Sequence, residues 1–119
     1  HAASCSRGFT WLCSTCCPCV VQAPCYVFGD IHGNFEDLLY FTSNLIPFKH
    51  IQYASHGFVF MGDMVDRGPH DVDCLAYLLS LKVQAPKKIQ LLRGNHEDRR
   101  QNARLEESFY NHCVTLFGV

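Results

Sequence analysis

At 119 residues the chain has room for one small domain, and 48% hydrophobic with 13% aromatic content supplies enough apolar surface for a core, which argues against a largely disordered protein. A formal charge of −1 argues against a nucleic-acid or anionic-membrane surface. The longest nearly apolar stretch, Trp11 to Val21, is too short to span a bilayer and is broken by Ser, Thr and Pro; with only Arg7 basic ahead of it, it also makes a poor secretory signal.

Six of the eight cysteines precede residue 26: Cys5, Cys13, Cys16, Cys17, Cys19 and Cys25. A secreted disulfide scaffold would spread them through the fold, so a reducing compartment, cytoplasm or nucleus, is expected. Cys13-x-x-Cys16 has the spacing of half a zinc site, but no second pair follows at suitable spacing. Residues 1–20 show no clean period and read as a Cys-rich leader of unknown role, ahead of a domain over residues 21–119.

From Val20 the texture changes. Cys25-Tyr26-Val27-Phe28 reads as a short buried strand closed by Gly29. Asn34 is placed to cap a helix with Glu36 and Asp37 in its first turn, its apolar face being Phe35, Leu38, Leu39, Leu45 and Ile46, and Pro47 ends it. A polar connection over residues 47–56 leads to a second strand, Phe58-Val59-Phe60-Met61, closed by Gly62. Pro69 suits the first turn of a second helix, whose expected buried face is Val72, Leu75, Ala76, Leu79 and Val83. Ile89-Gln90-Leu91-Leu92 is the third strand, and Leu105, Phe109, Cys113, Leu116 and Phe117 mark a third helix. This β-α-β-α-β-α alternation predicts an α/β fold with a mostly parallel sheet and flanking helices.

Each strand runs into a motif: Gly29-Asp30-Ile31-His32-Gly33, Gly62-Asp63-Met64-Val65-Asp66-Arg67-Gly68 and Gly94-Asn95-His96-Glu97. Loops after parallel strands collect at the carboxyl edge of the sheet, so Asp30, His32, Asp63, Asp66, Arg67, Asn95 and His96 are expected together. Asp30 and His32 alternate, and in an extended loop both face one ion. Asp63 has two oxygens with which to bridge two ions, and Asn95 adds a neutral oxygen. Mixed oxygen and imidazole donors favour manganese, iron, zinc or magnesium. Two such ions about 3.5–4 Å apart clamp a phosphate and activate water. Singly, a Gly-Asp after a strand is a turn, Asp66-Arg67 a surface pair and Asn95 a helix cap; their joint occurrence in order makes those separate readings untenable.

The blocks GDIHGN, GDMVDRGP and LLRGNHE resemble the signatures of the eukaryotic-type serine/threonine phosphoprotein phosphatases, a branch of the calcineurin-like metallophosphoesterases. The resemblance runs from about Gln22 to the C-terminus. It includes the 32-residue step from Asp63 to Asn95, while the 33-residue step from Asp30 to Asp63 is a few residues longer than usual, with the excess placed between Phe48 and Gly57. It implies a partial metallophosphoesterase α/β sandwich and two divalent ions, with Asp30 and His32 holding the first, Asp63 bridging and Asn95 on the second. It implies His96 as the acid that protonates the leaving alkoxide, Asp66 as its partner, and Arg67 with Asn95 on the phosphate. The implied reaction is hydrolysis of phosphoserine and phosphothreonine in proteins by water activated between two metals, with a phosphoprotein as substrate and regulatory subunits as further partners.

Glu97 is expected to support its loop, and Asp98, Arg99 and Arg100 to be solvated. His50, His56, His70 and His112 match no motif and are expected at the surface. His112-Cys113 begins like a cysteine-dependent phosphatase loop, but Val119 stands where that loop needs Arg. The family's further metal histidines and second arginine have no counterpart in these residues, so the chain is expected to be a fragment, inactive alone and with one sheet face uncovered. Two other readings stand beside this one: another metallophosphoesterase, such as a dinucleoside polyphosphate hydrolase, and a non-catalytic truncated binding module.

Overall fold

The computed structural model describes residues 21, 23–104 and 108–118. The Cys-rich leader and Leu105 lie outside these residues. Three parallel strands, β1 (Cys25–Phe28), β2 (Gly57–Phe60) and β3 (Ile89–Leu91), form one sheet in the order β1-β2-β3. Register pairs Tyr26 with Phe58 and Phe28 with Phe60, and pairs Phe58 with Ile89 and Phe60 with Leu91. Because strand side chains alternate, these residues share one face. Phe58, Phe60 and Ile89 there are fully buried, and the Phe28 and Phe60 rings stack with centroids 4.8 Å apart. On the opposite face Val27 remains 63% exposed.

Helix α1 (Phe35–Leu45) starts where expected: Asn34 Oδ1 accepts the backbone N–H of Asp37 at 3.2 Å. Its buried face differs from the expected one. Leu39 is exposed, and Thr42 is buried instead, its hydroxyl donating to the Leu38 carbonyl and meeting the Tyr77 hydroxyl at 2.9 Å. A polar residue thus sits inside because its hydrogen bonds travel with it.

Helix α2 (Asp71–Gln84) is rotated relative to expectation. It buries Asp71, Cys74, Leu78 and Leu81, while Val83 is exposed and Val72, Leu75 and Leu79 are half-buried. A helix this apolar offers two plausible stripes, and the neighbours decide between them. Pro69 lies ahead of the helix rather than in its first turn, since His70 is the N-cap.

Residues 47–56 are not a plain polar connection. They form two 3-10 turns, Pro47–Lys49 and Ile51–Tyr53, that insert Ile51 and Ala54 into the core. Lys88 Nζ ties the segment down by donating to the carbonyls of Gln52 and Ala54. A short helix outside the expected span, α3 (Arg99–Asn102), precedes the expected third helix, α4 (Phe109–Phe117), on which Leu116 and Phe117 are exposed. Among the described residues no helix is long and apolar enough to cross a membrane.

Candidate metal and phosphate site

The three motif loops meet beyond the carboxyl ends of the strands, backbone against backbone. The N–H groups of Ile31 and His32 both donate to the Asp63 carbonyl at 3.0 Å, and that of Gly33 to Met64 at 3.1 Å. A Cβ on Gly68 would strike the His32 carbonyl oxygen, and one on Gly62 would strike the Gly94 amide nitrogen. Glycine is therefore required where loop meets loop. Gly29 has no neighbour that a Cβ would meet and carries no such requirement.

Four non-glycine residues of this edge, His32, Asp63, Asp66 and Arg67, hold positive φ of 47°, 51°, 68° and 71°. Such conformations cost about 1–3 kcal/mol each and persist where surrounding contacts over-determine them. One of those contacts is Glu97. Its carboxylate accepts the backbone N–H groups of Asp63 at 2.9 Å, Met64 at 2.7 Å and Gly94 at 2.7 Å, joining the second loop to the third. The expected loop-supporting role of Glu97 has this physical form.

His32 sits with Nδ1 against the Val65 carbonyl at 3.1 Å, which leaves Nε2 facing Asp30 Oδ2 at 3.8 Å. A metal-binding imidazole commonly has one nitrogen held by a carbonyl in this way. Asp63 Oδ1 accepts the His96 backbone N–H at 2.9 Å. Side-chain donor atoms of His32, Asp63 and His96 lie within 4.8 Å of one another. Of these three, His96 is the least available to an ion, since both its ring nitrogens already have partners. Asp30, largely exposed, has a carboxylate free to turn toward His32 Nε2. The donors therefore fit an ion held by Asp30, His32 and Asp63. Asn95 is exposed on the loop between Gly94 and His96.

His96 is buried. Its Nδ1 is 3.0 Å from Oδ2 of Asp66, which is also buried, and its Nε2 is 3.2 Å from an Arg67 guanidinium nitrogen. Because Arg67 only donates, Nε2 accepts and Nδ1 carries the proton that Asp66 receives. The His32 and His96 rings meet edge to face, 4.7 Å between centroids. An open cleft of about 440 Å³ flanks the site, lined by His32, Gly33, Gly68 and the start of α1.

Sequence reasoning missed two anchors of Asp66: the Asn102 side chain and the Phe109 backbone N–H, each donating to Oδ1 at 2.8 Å. Neither belongs to a motif, and a backbone donor leaves no residue signature. His112 was expected at the surface, but its Nδ1 is 2.8 Å from Oδ1 of buried Asp71, linking α4 to α2; His56 is half-buried with its ring 5.0 Å from that of Tyr26. Asp98, Arg99 and Arg100 are exposed, as expected.

Burial, then the charges of Asp71 and Asp73, push the Cys74 thiol up to about 11. Burial, then Asp71, raises that of Cys113 as well. A thiol held protonated is a poor nucleophile, which supports setting aside the cysteine-phosphatase reading.

Residues 23–119 match the calcineurin-like phosphoesterase family. The chain is 46% identical over 87 residues to the Caenorhabditis elegans protein C27B7.6, covering 71% of this chain and 18% of that protein. It is 42% identical over 100 residues to the serine/threonine-protein phosphatase SIT4 of Candida albicans, covering 82% of this chain and 30% of that protein. A solved serine/threonine phosphatase from Saccharomyces cerevisiae with similarity to human phosphatase PP5 superposes with a TM-score of 0.63 at 29% identity, over 76% of this chain and 27% of that one. The chain thus spans less than a third of the length of the relatives it matches. With the three loops converging on one sheet edge and the match running through all of them, the chain belongs to the calcineurin-like phosphoesterase family, in its serine/threonine phosphoprotein phosphatase branch.

Proposed function

We propose that these residues form part of the active site of a serine/threonine protein phosphatase, a phosphoric monoester hydrolase acting on phosphoproteins. The observation that carries the reading is buried His96, oriented by Asp66 through Nδ1 and presenting Nε2 to Arg67 beside Asp63. Two divalent ions, manganese, iron or zinc, when bound here would activate water and neutralise phosphate charge. Asp30, His32 and Asp63 would hold the first, and Asp63 with Asn95 the second. Arg67 would grip phosphate oxygens through its planar fork, with Asn95 beside it. His96, once it has taken up a proton from solvent at Nε2, would give that proton to the departing serine or threonine oxygen, a poor leaving group that needs an acid. Asp66 stabilises the imidazolium that precedes this transfer.

Only Asp63 and Asn95 are left for the second ion, so activity is expected of a whole protein of the relatives' length and not of these residues alone. Regulatory subunits and an intracellular setting belong to the same proposal. The test is His96→Asn in the whole protein, assayed on a phosphoserine peptide and on an aryl phosphate. Loss of an acid should lower kcat on the peptide by about 10²–10⁴ with little change in KM, and much less on the aryl ester, whose phenolate leaves unaided. Equal losses on both esters would remove His96 from the acid role. Hydrolysis of a dinucleoside polyphosphate in preference to the peptide would favour a different phosphoesterase.

A further inference from the structure

We propose that Asn102 is a positioning residue for His96, acting through Asp66; the inference rests on the acid role proposed for His96. Asp66 is fully buried, and each of its oxygens has a separate task. Oδ2 faces His96 Nδ1 at 3.0 Å. Oδ1 accepts two hydrogen bonds, one from Asn102 Nδ2 at 2.8 Å and one from the Phe109 backbone N–H at 2.8 Å. Phe109 is the first residue of α4, so its N–H has no acceptor within the helix. The carboxylate is thus held from behind by two donors and has one oxygen left for the imidazole.

The amide of Asn102 can face only one way. Its Oδ1 accepts the Tyr110 backbone N–H at 3.1 Å, and a backbone N–H cannot accept. That contact turns the NH2 group toward Asp66, and the same nitrogen lies 3.5 Å from the His96 carbonyl. Asn102 therefore touches the carboxylate, the backbone of the histidine it serves, and α4. Ser108 sets the helix start by accepting the Asn111 N–H on its buried hydroxyl at 3.2 Å. Without the Asn102 donor, only the Phe109 N–H holds Oδ1 from behind, and the Asp66 carboxylate is fixed less firmly about its own Cβ–Cγ bond. The choice of which His96 nitrogen bears the proton is then enforced less strongly, by Arg67 at Nε2 and a loosened Asp66 at Nδ1. A proton on Nε2 of the neutral ring with Nδ1 bare is the wrong tautomer to pair with Asp66, and such errors are catalytically severe.

The experiment uses the whole protein with nitrogen-15-labelled histidine. Asn102→Asp keeps the volume and the acceptor for Tyr110 but removes the donor, and places a carboxylate against Asp66; Asn102→Ala removes both. In the unsubstituted protein the His96 Nδ1 signal should be that of a protonated nitrogen and Nε2 that of a bare one. Both variants should mix the tautomers. Both should also lower kcat on a phosphoserine peptide by about tenfold or more, with KM within about twofold and an aryl phosphate affected far less. Unchanged His96 tautomers in a folded variant would overturn the positioning role, whatever the kinetics. Mixed tautomers with equal losses on both esters would uphold the positioning role and defeat the acid role. If Asn102→Ala does not fold, Asn102→Asp decides. If neither folds, absence of an Nδ1–H signal for His96 in the unsubstituted protein overturns the proposal, and its presence with slowed solvent exchange supports it.

Discussion

Arg67 donates to Nε2 of His96 at 3.2 Å, the same ring atom that the proposed acid step needs to carry a proton. The guanidinium cannot accept, so protonated Nε2 and this contact exclude each other. If Arg67 takes the phosphate role proposed for it, its guanidinium would have two positions to choose between, against His96 or on an incoming phosphate. Arg67 is exposed and its backbone is left-handed.

Arg67→Ala should weaken inhibition by inorganic phosphate in the whole protein by roughly tenfold, the order of one lost charge-assisted bidentate contact. Arg67→Lys should recover little of it, because an ammonium lacks the planar fork. Full recovery by Lys would show that charge alone acts there.

Manganese should bind weakly to the 119-residue chain, through Asp30, His32 and Asp63. Paramagnetic resonance during a titration reads this directly. The double substitution Asp30→Ala with Asp63→Ala should abolish it, and surviving binding would locate the ion elsewhere, for instance at the N-terminal cysteines.

Glu97→Gln keeps the size of the side chain but replaces one acceptor oxygen by an NH2 group facing backbone donors that now have nothing to meet. Since the carboxylate serves three N–H groups at 2.7–2.9 Å, a loss of about 1–3 kcal/mol of stability is expected, read from denaturant midpoints. An unchanged midpoint would mean that the loops hold without this carboxylate.

Cys74 should resist alkylation in the folded chain at pH 8, while exposed Cys25 reacts. Its folded-state value of about 11 lies above the ordinary 9.0. The sign follows: the buried neutral thiol contributes stability that is complete below about pH 9 and lost as pH rises through about 11. Cys74→Ala should flatten that alkaline loss. Rapid labelling of Cys74 at pH 8 without unfolding would contradict the burial.

The sequence by itself determined the order and type of the main elements and the edge at which the motifs gather. Strand alternation, the Asn34 cap and the glycine punctuation act over a few residues, and β1, α1 and β3 lie within a residue of where those signals put them. Only the tertiary structure decided which stripe of α2 is buried, why Thr42 is inside, and that residues 47–56 feed the core. The same holds for the anchoring of Asp66 by Asn102 and Phe109, which lie 36 and 43 residues away. Local periodicity says that a helix has an apolar side; it does not say which neighbours will cover it. A hydrogen bond from a backbone N–H or from a lone asparagine depends on where two distant segments come to rest, and packing settles that over the whole chain.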